Sequence, residues 1–440
     1  MNTRQLGFWM CTALVIGNMI GMGIFMQPAS LAPFGLNALT GWLAVIVGCA
    51  CLAIVFAALA RRLPQVNGPF DYVRATLGEP VSFAAMWCYW ISTAVTIAAL
   101  PVAVVGYLVS VFPAAKAIPP AALAVGFMWL FIGVNLLGVK SGGRVQVITS
   151  LLKIVPLVLV MVMGGAAILM DPSAYAPNLP TIPPVGLQPS MAAASIALFP
   201  MLGFESATVA AGRARDPERT IPRATLIGTL FVAVIYVAIV AISMLLVPQA
   251  TLAASDAPFV TILDSLLGAG NGRWLALFVV ISGLGCLNGW TLLVGELGRT
   301  LAMNRLLPEV FGRSNRFGAP WVGLLVIGVV ATFVGLMNYS ESLVAGFTLL
   351  SVIVTAANLP LYLCCALAVY VLWRRVPGAL PPMLWLVGAG GLAFAAFAFI
   401  GVGKEPFLWA LALAAAGVPV YFWMRWRHPV ATIAGAAPPS

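Results

Sequence analysis

Apolar stretches of membrane-crossing length follow one another along the whole of this 440-residue chain, and that recurrence leaves few folds open. A helix rising 1.5 Å per residue needs about twenty residues to cross roughly 30 Å of hydrocarbon. Twelve stretches meet this, with approximate limits 8–32, 39–60, 81–112, 119–138, 144–170, 190–212, 222–247, 274–303, 320–338, 343–373, 380–402 and 406–426. A membrane β-barrel would instead alternate apolar and polar residues over strands of about ten. The expectation is an all-α integral membrane protein, one domain over 1–440 with twelve transmembrane helices. The first stretch is too long for the apolar part of a signal peptide and is read as retained. Residues 431–440, small and proline-containing, read as a disordered tail.

The formal charge of +10 would suit nucleic acid, but the placement of the charges excludes that partner. Of 22 Lys and Arg, 18 fall on one side of the twelve spans, among them Arg61, Arg62, Arg74, Arg215, Arg219, Arg313, Arg374 and Arg425. Lys116, Arg273 and Lys404 stand opposite, and Lys153 lies within a span. The asymmetry predicts a cell (inner) membrane protein, surrounded by lipid, with both termini in the cytoplasm. The seven cysteines sit in apolar stretches without metal-ligand spacing, and the only histidine, His428, follows the last span. No metal, cofactor or hydrolytic enzyme is expected, and no Walker sequence supports ATP-driven transport.

Two spans are interrupted. In Gly17-Asn18-Met19-Ile20-Gly21-Met22-Gly23, three glycines each cost a helix interior about 1 kcal/mol relative to alanine. Freed backbone groups at membrane depth need partners or a lined cavity. Two readings stay open on this stretch alone: a binding site between half-helices, or glycines serving close helix packing. The sixth span repeats the device in Phe199-Pro200-Met201-Leu202-Gly203-Phe204-Glu205-Ser206, where the proline removes one helix bond and obstructs another. The two breaks lie five spans apart, and an odd number of helices per repeat inverts the second copy. That predicts a five-plus-five inverted repeat, about 8–170 and 190–373, with two further helices at about 380–426.

Other polar groups lie at depth. Ser92, Thr93 and Thr96 are in the third span and Ser351, Thr355 and Asn358 in the tenth; such hydroxyls often bond only the carbonyl one turn back. Lys153 stands nine residues into the fifth span, about 14 Å from its end, and is therefore either paired or functional. Trp290 lies away from both interfaces, as core or as lining. Glu205 and Glu296 are the acids within spans, and only Glu205 sits at a break.

With Gly17 to Gly23, Gly203-Phe204-Glu205-Ser206-Ala207 and Gly289-Trp290-Thr291-Leu292-Leu293 in order, the chain resembles the amino acid-polyamine-organocation transporters. It is most similar to their basic amino acid/polyamine antiporters, the arginine-agmatine branch among them. The resemblance implies a LeuT-like fold and an amino acid or amine as substrate, and leaves a homodimer open. It implies that carbonyls of Met19, Phe199 and Leu202 receive the substrate ammonium and that the Gly23 N–H receives its carboxylate. It further implies that Phe199 gates the site, that Trp290 stacks on the substrate, and that Glu205 couples protonation to conformation. Ser92, Thr93 and Ser351 are counted with the substrate-binding residues.

Three residues depart from that branch. Met22 replaces a serine, Ile97 an asparagine and Phe199 a tryptophan. Arg144-Val145-Gln146 followed by Lys153 is similar instead to the fifth span of the L-type exchangers, where a lysine amine stands in for sodium. The expectation is a sodium-independent antiporter for a cationic amino acid and its decarboxylated amine, with a permease for neutral amino acids as the alternative. A channel, the rival of a different class, would need a continuous polar pore.

Overall fold

The computed structural model describes residues 7–63, 69–138, 152–180, 182–204, 216–337, 342–375 and 381–427. Among the described residues every regular element is helical. The principal helices are α1 (Phe8–Met19), α2 (Met22–Leu31), α3 (Asn37–Arg62), α4 (Pro69–Leu77), α5 (Glu79–Val111) and α6 (Pro120–Leu136). There follow α7 (Ile154–Leu159), α8 (Gly165–Met170), α9 (Leu187–Leu198), α10 (Pro217–Leu246), α11 (Pro258–Leu267) and α12 (Arg273–Met303). The chain ends with α13 (Trp321–Met337), α14 (Leu343–Arg375), α15 (Pro382–Gly401), α16 (Lys404–Ala415) and α17 (Gly417–Arg427).

Among the described residues seven helices are long and apolar enough to cross a membrane, and up to nine if each sharply bent pair counts as one span. α6 and α13, with 17 residues each, are shorter, rising about 26 Å. The expected third and tenth spans are 33-residue helices, α5 and α14, long enough to lie tilted. They pack on each other and are buried for 78% of their apolar window, so they form the centre of the molecule. The apolar window of the last pair, α16 and α17, is only 11% buried inside the protein.

The expected last span, about 406–426, falls in one apolar helical stretch, Lys404–Arg427, that contains a single turn residue. The turn at Ala416 divides α16 from α17, although the Ala416 N–H still donates to the Ala412 carbonyl at 3.1 Å. Pro419 lacks the N–H that would reach back to Ala415, and Gly417 lies so close to the Trp87 ring that a Cβ would come within 2.6 Å of it. The Trp87 indole N–H repairs part of the damage, donating to the Leu413 carbonyl at 3.0 Å. The fifth span is also irregular: a turn at Lys153 precedes α7, and Val160–Gly164 is π-helical before α8.

Candidate functional site

α1 and α2 meet at 48° across Ile20 and Gly21, whose extended backbone cannot carry the i to i−4 ladder. The Ile20 N–H makes the last ordinary ladder bond, to the Ile16 carbonyl at 2.9 Å. Two of the carbonyls orphaned at the end of α1 find partners on other helices. Gly17 accepts from the Lys153 ammonium at 3.3 Å, and Met19 from the Tyr236 hydroxyl at 2.8 Å. The Gly21 N–H faces that same hydroxyl, so one phenol from α10 serves both sides of the break. The N-terminus of α2 has no side-chain cap, which leaves the N–H groups of Met22 and Gly23 as the positive end of the half-helix.

The second break follows from Pro200. The Ile196 carbonyl would ordinarily bond the N–H of residue 200, and proline has none. It accepts instead from the Phe199 N–H and from Gln27 Nε2 of α2, the latter at 2.9 Å. Phe199–Met201 forms a 3-10 turn, with the Leu202 N–H donating to the Phe199 carbonyl at 3.1 Å. Leu202 is then extended, and Gly203 takes φ 104°, a conformation in which a side chain would be strained.

The two breaks touch. A Cβ on Gly23 would come within 2.8 Å of Pro200 Cβ, and one on Gly203 within 3.4 Å of the Asn18 carbonyl. α12 closes a third side, since a Cβ on Gly21 would meet the Cys286 sulfur at 2.8 Å. Met22, fully buried, presses its sulfur toward Gly283 of the same helix. Met19, Met22, Gly23, Phe199, Leu202 and Lys153 are thus gathered at one crossing, buried and packed shut.

The remaining expected residues lie in the walls or outside the described residues. Ser92 and Thr93 donate to the carbonyls of Tyr89 and Trp90, and Ser351 to that of Thr348. Their protons are spent on the helices, so each presents only lone pairs, the polarity that suits an ammonium or guanidinium. Ile97 is fully buried on α5. Trp290 is half-buried on α12, and no ring among the described residues pairs with it. Phe199 meets Phe347 of α14 edge-on, ring centres 5.6 Å apart. Glu205 lies outside the described residues.

Several residues at the crossing escaped sequence reasoning. Tyr236 sits in the middle of an apolar stretch, the one available signal being a polar tip at that depth. Gln27, one turn past Gly23 and just before Pro28, was a polar residue among apolar ones. Asn135 of α6 donates to the Asn288 side chain of α12 at 3.1 Å, a buried amide pair that spacing alone could not reveal.

Apolar helices of spanning length around two touching helix breaks define a multi-pass membrane transporter of the discontinuous-helix kind. Comparison with known proteins supplies the family: residues 6–423 match amino acid permeases, and the chain belongs to that family within the amino acid-polyamine-organocation superfamily. The cadaverine/lysine antiporter of Escherichia coli (strain K12) is 31% identical over 332 residues, 75% of this chain and 74% of that protein. The putative arginine/ornithine antiporter of Bacillus subtilis (strain 168) is 30% identical over 363 residues, 75% and 76% of the two chains. The putrescine transporter PotE of Escherichia coli (strain K12) is 27% identical over 427 residues, 95% and 96% of the two.

Proposed function

We propose that this protein is a sodium-independent antiporter that exchanges a cationic amino acid for its decarboxylated amine by alternating access. The relatives support the class of cargo, because their names pair lysine with cadaverine and arginine with ornithine, or give putrescine. The observation that carries the reading is the contact between the breaks, with Lys153 bonded to the first. In this reading the uncapped N-terminus of α2 receives a substrate carboxylate at the Gly23 N–H. Carbonyls of Met19, Phe199 and Leu202, with the acceptor-only hydroxyls of Ser92, Thr93 and Ser351, receive its ammonium groups. Trp290 offers a ring face to the cationic side chain, a contact worth up to about 2 kcal/mol when desolvated.

Twelve spans in a LeuT-like five-plus-five inverted repeat, with both termini cytoplasmic, complete the proposed architecture. Arginine with agmatine is one candidate pair. Glu205 is assigned proton coupling; Glu205→Gln keeps its size and loses its titration, so an unchanged pH profile of exchange would remove that role. A second reading, exchange of neutral amino acids, draws on Met22 and Ile97, both apolar and fully buried. Competition against a bound labelled cation by purified protein in detergent tests the choice. Displacement by lysine, ornithine, arginine and their amines is expected, and displacement by leucine or alanine alone would favour the second reading.

A further inference from the structure

One short strap ties together the ends of three central helices on the side opposite the arginine-rich faces. Residues 254–259 lead from a short helix, Gln249–Ala253, into α11, and within them Asp256 turns its carboxylate to the N-terminus of α14. Its Oδ1 accepts from the Val344 N–H at 2.9 Å, and the Leu343 N–H faces the same carboxylate. A carboxylate at this end of a helix meets both its free donors and its positive dipole. The Asp256 carbonyl presses on α5, where a Cβ on Gly106 would come within 2.3 Å of it. Three residues on, the Phe259 N–H donates to the Tyr107 hydroxyl of α5, which donates to the Phe25 carbonyl of α2.

The helix end held by Asp256 is the one that bears Phe347. Val344 and Phe347 are one turn apart on α14, and Phe347 is the ring that meets Phe199 over the second break. Thr348 adds a hydroxyl contact to Ser30 of α2 at 2.7 Å. The strap therefore links α14 to α2 above the crossing, through Asp256 on one side and the buried Phe259, Tyr107 and Phe25 on the other.

We propose that Asp256 is a positioning residue for transport, holding the N-terminal end of α14 so that Phe347 stays closed on Phe199 and the breaks are shut from that side. The proposal rests on the alternating-access reading above. Loss of the cap frees the end of α14 and shifts the population toward a state open on the strap side.

The test uses the full chain in sealed vesicles, with the native cysteines replaced and Ser351→Cys, one turn beyond Phe347, as reporter. A membrane-impermeant thiol reagent is added on the strap side. Asp256→Ala is expected to speed labelling roughly ten-fold, as loss of charge-assisted hydrogen bonds to the closed state would. Asp256→Asn keeps an acceptor oxygen and should stay within about three-fold of the parent while remaining faster than it. If Asp256→Ala does not reach the membrane, the Asp256→Asn rate carries the test. Labelling no faster than the parent in the folded variants, including none in any of them, overturns the proposal. Exchange measured on vesicles of the unsubstituted chain reports separately on transport, so failure of the functional reading is distinguishable.

Discussion

The Lys153 ammonium donates to the Gly17 carbonyl at 3.3 Å, and it does so from a residue only 2% exposed. In the proposed function Lys153 takes the place that a bound metal cation takes beside unwound helices, where carbonyls coordinate the ion. Exchange should therefore run at the same rate in sodium, potassium or choline chloride. Strict dependence on sodium, measured as tracer uptake in vesicles, would exclude that role for Lys153. Lys153→Met should also leave the Gly17 carbonyl unpaired and lower the melting temperature.

Tyr236 gives a cleaner stability test, because phenylalanine keeps its shape and deletes only the hydroxyl. The Met19 carbonyl then loses its 2.8 Å donor in a fully buried setting. A buried acceptor left unsatisfied costs about 1–3 kcal/mol. Tyr236→Phe should lower thermal stability by that order, read as a shift in the melting curve in detergent. An unchanged melting curve would mean that the break is held by other contacts.

Contact between the breaks predicts an asymmetry among glycines. At Gly23 a methyl group would come within 2.8 Å of Pro200 Cβ and 3.1 Å of its Cα, and the proline ring cannot turn away. Overpacking of this kind costs about 1–3 kcal/mol. Gly126, inside α6, has nothing within 4 Å of the same position, and alanine there should be neutral or stabilising by up to about 1 kcal/mol. Gly23→Ala should thus impair both folding yield and exchange, and Gly126→Ala neither. Equal behaviour of the two variants would contradict the packing described here.

The breaks themselves were legible, since glycine runs and a proline in apolar sequence disrupt a helix wherever it lies. Gly17 to Gly23 and Phe199 to Gly203 accordingly stand at the two discontinuities. The groups that heal them were not legible. Tyr236 reaches Met19 across 217 positions and Gln27 reaches Ile196 across 169, distances at which periodicity carries no information. The turn in the last span shows the same limit: Pro419 is visible in the sequence, whereas the Trp87 indole that bonds the Leu413 carbonyl comes from 326 positions away. Hydroxyl positions were foreseen, but only the geometry shows that Ser92, Thr93 and Ser351 have spent their protons on their own helices.

Counterflow in proteoliposomes tests the central claim most directly. Vesicles loaded with cadaverine, putrescine or agmatine are diluted into labelled lysine, ornithine or arginine, with empty vesicles and leucine-loaded vesicles alongside. The account predicts saturable uptake of a cationic amino acid that requires its amine inside, proceeds without sodium and falls at least ten-fold in Trp290→Ala, roughly the loss of one desolvated cation–π contact. Uptake independent of the internal amine, or exchange confined to neutral amino acids, would contradict it.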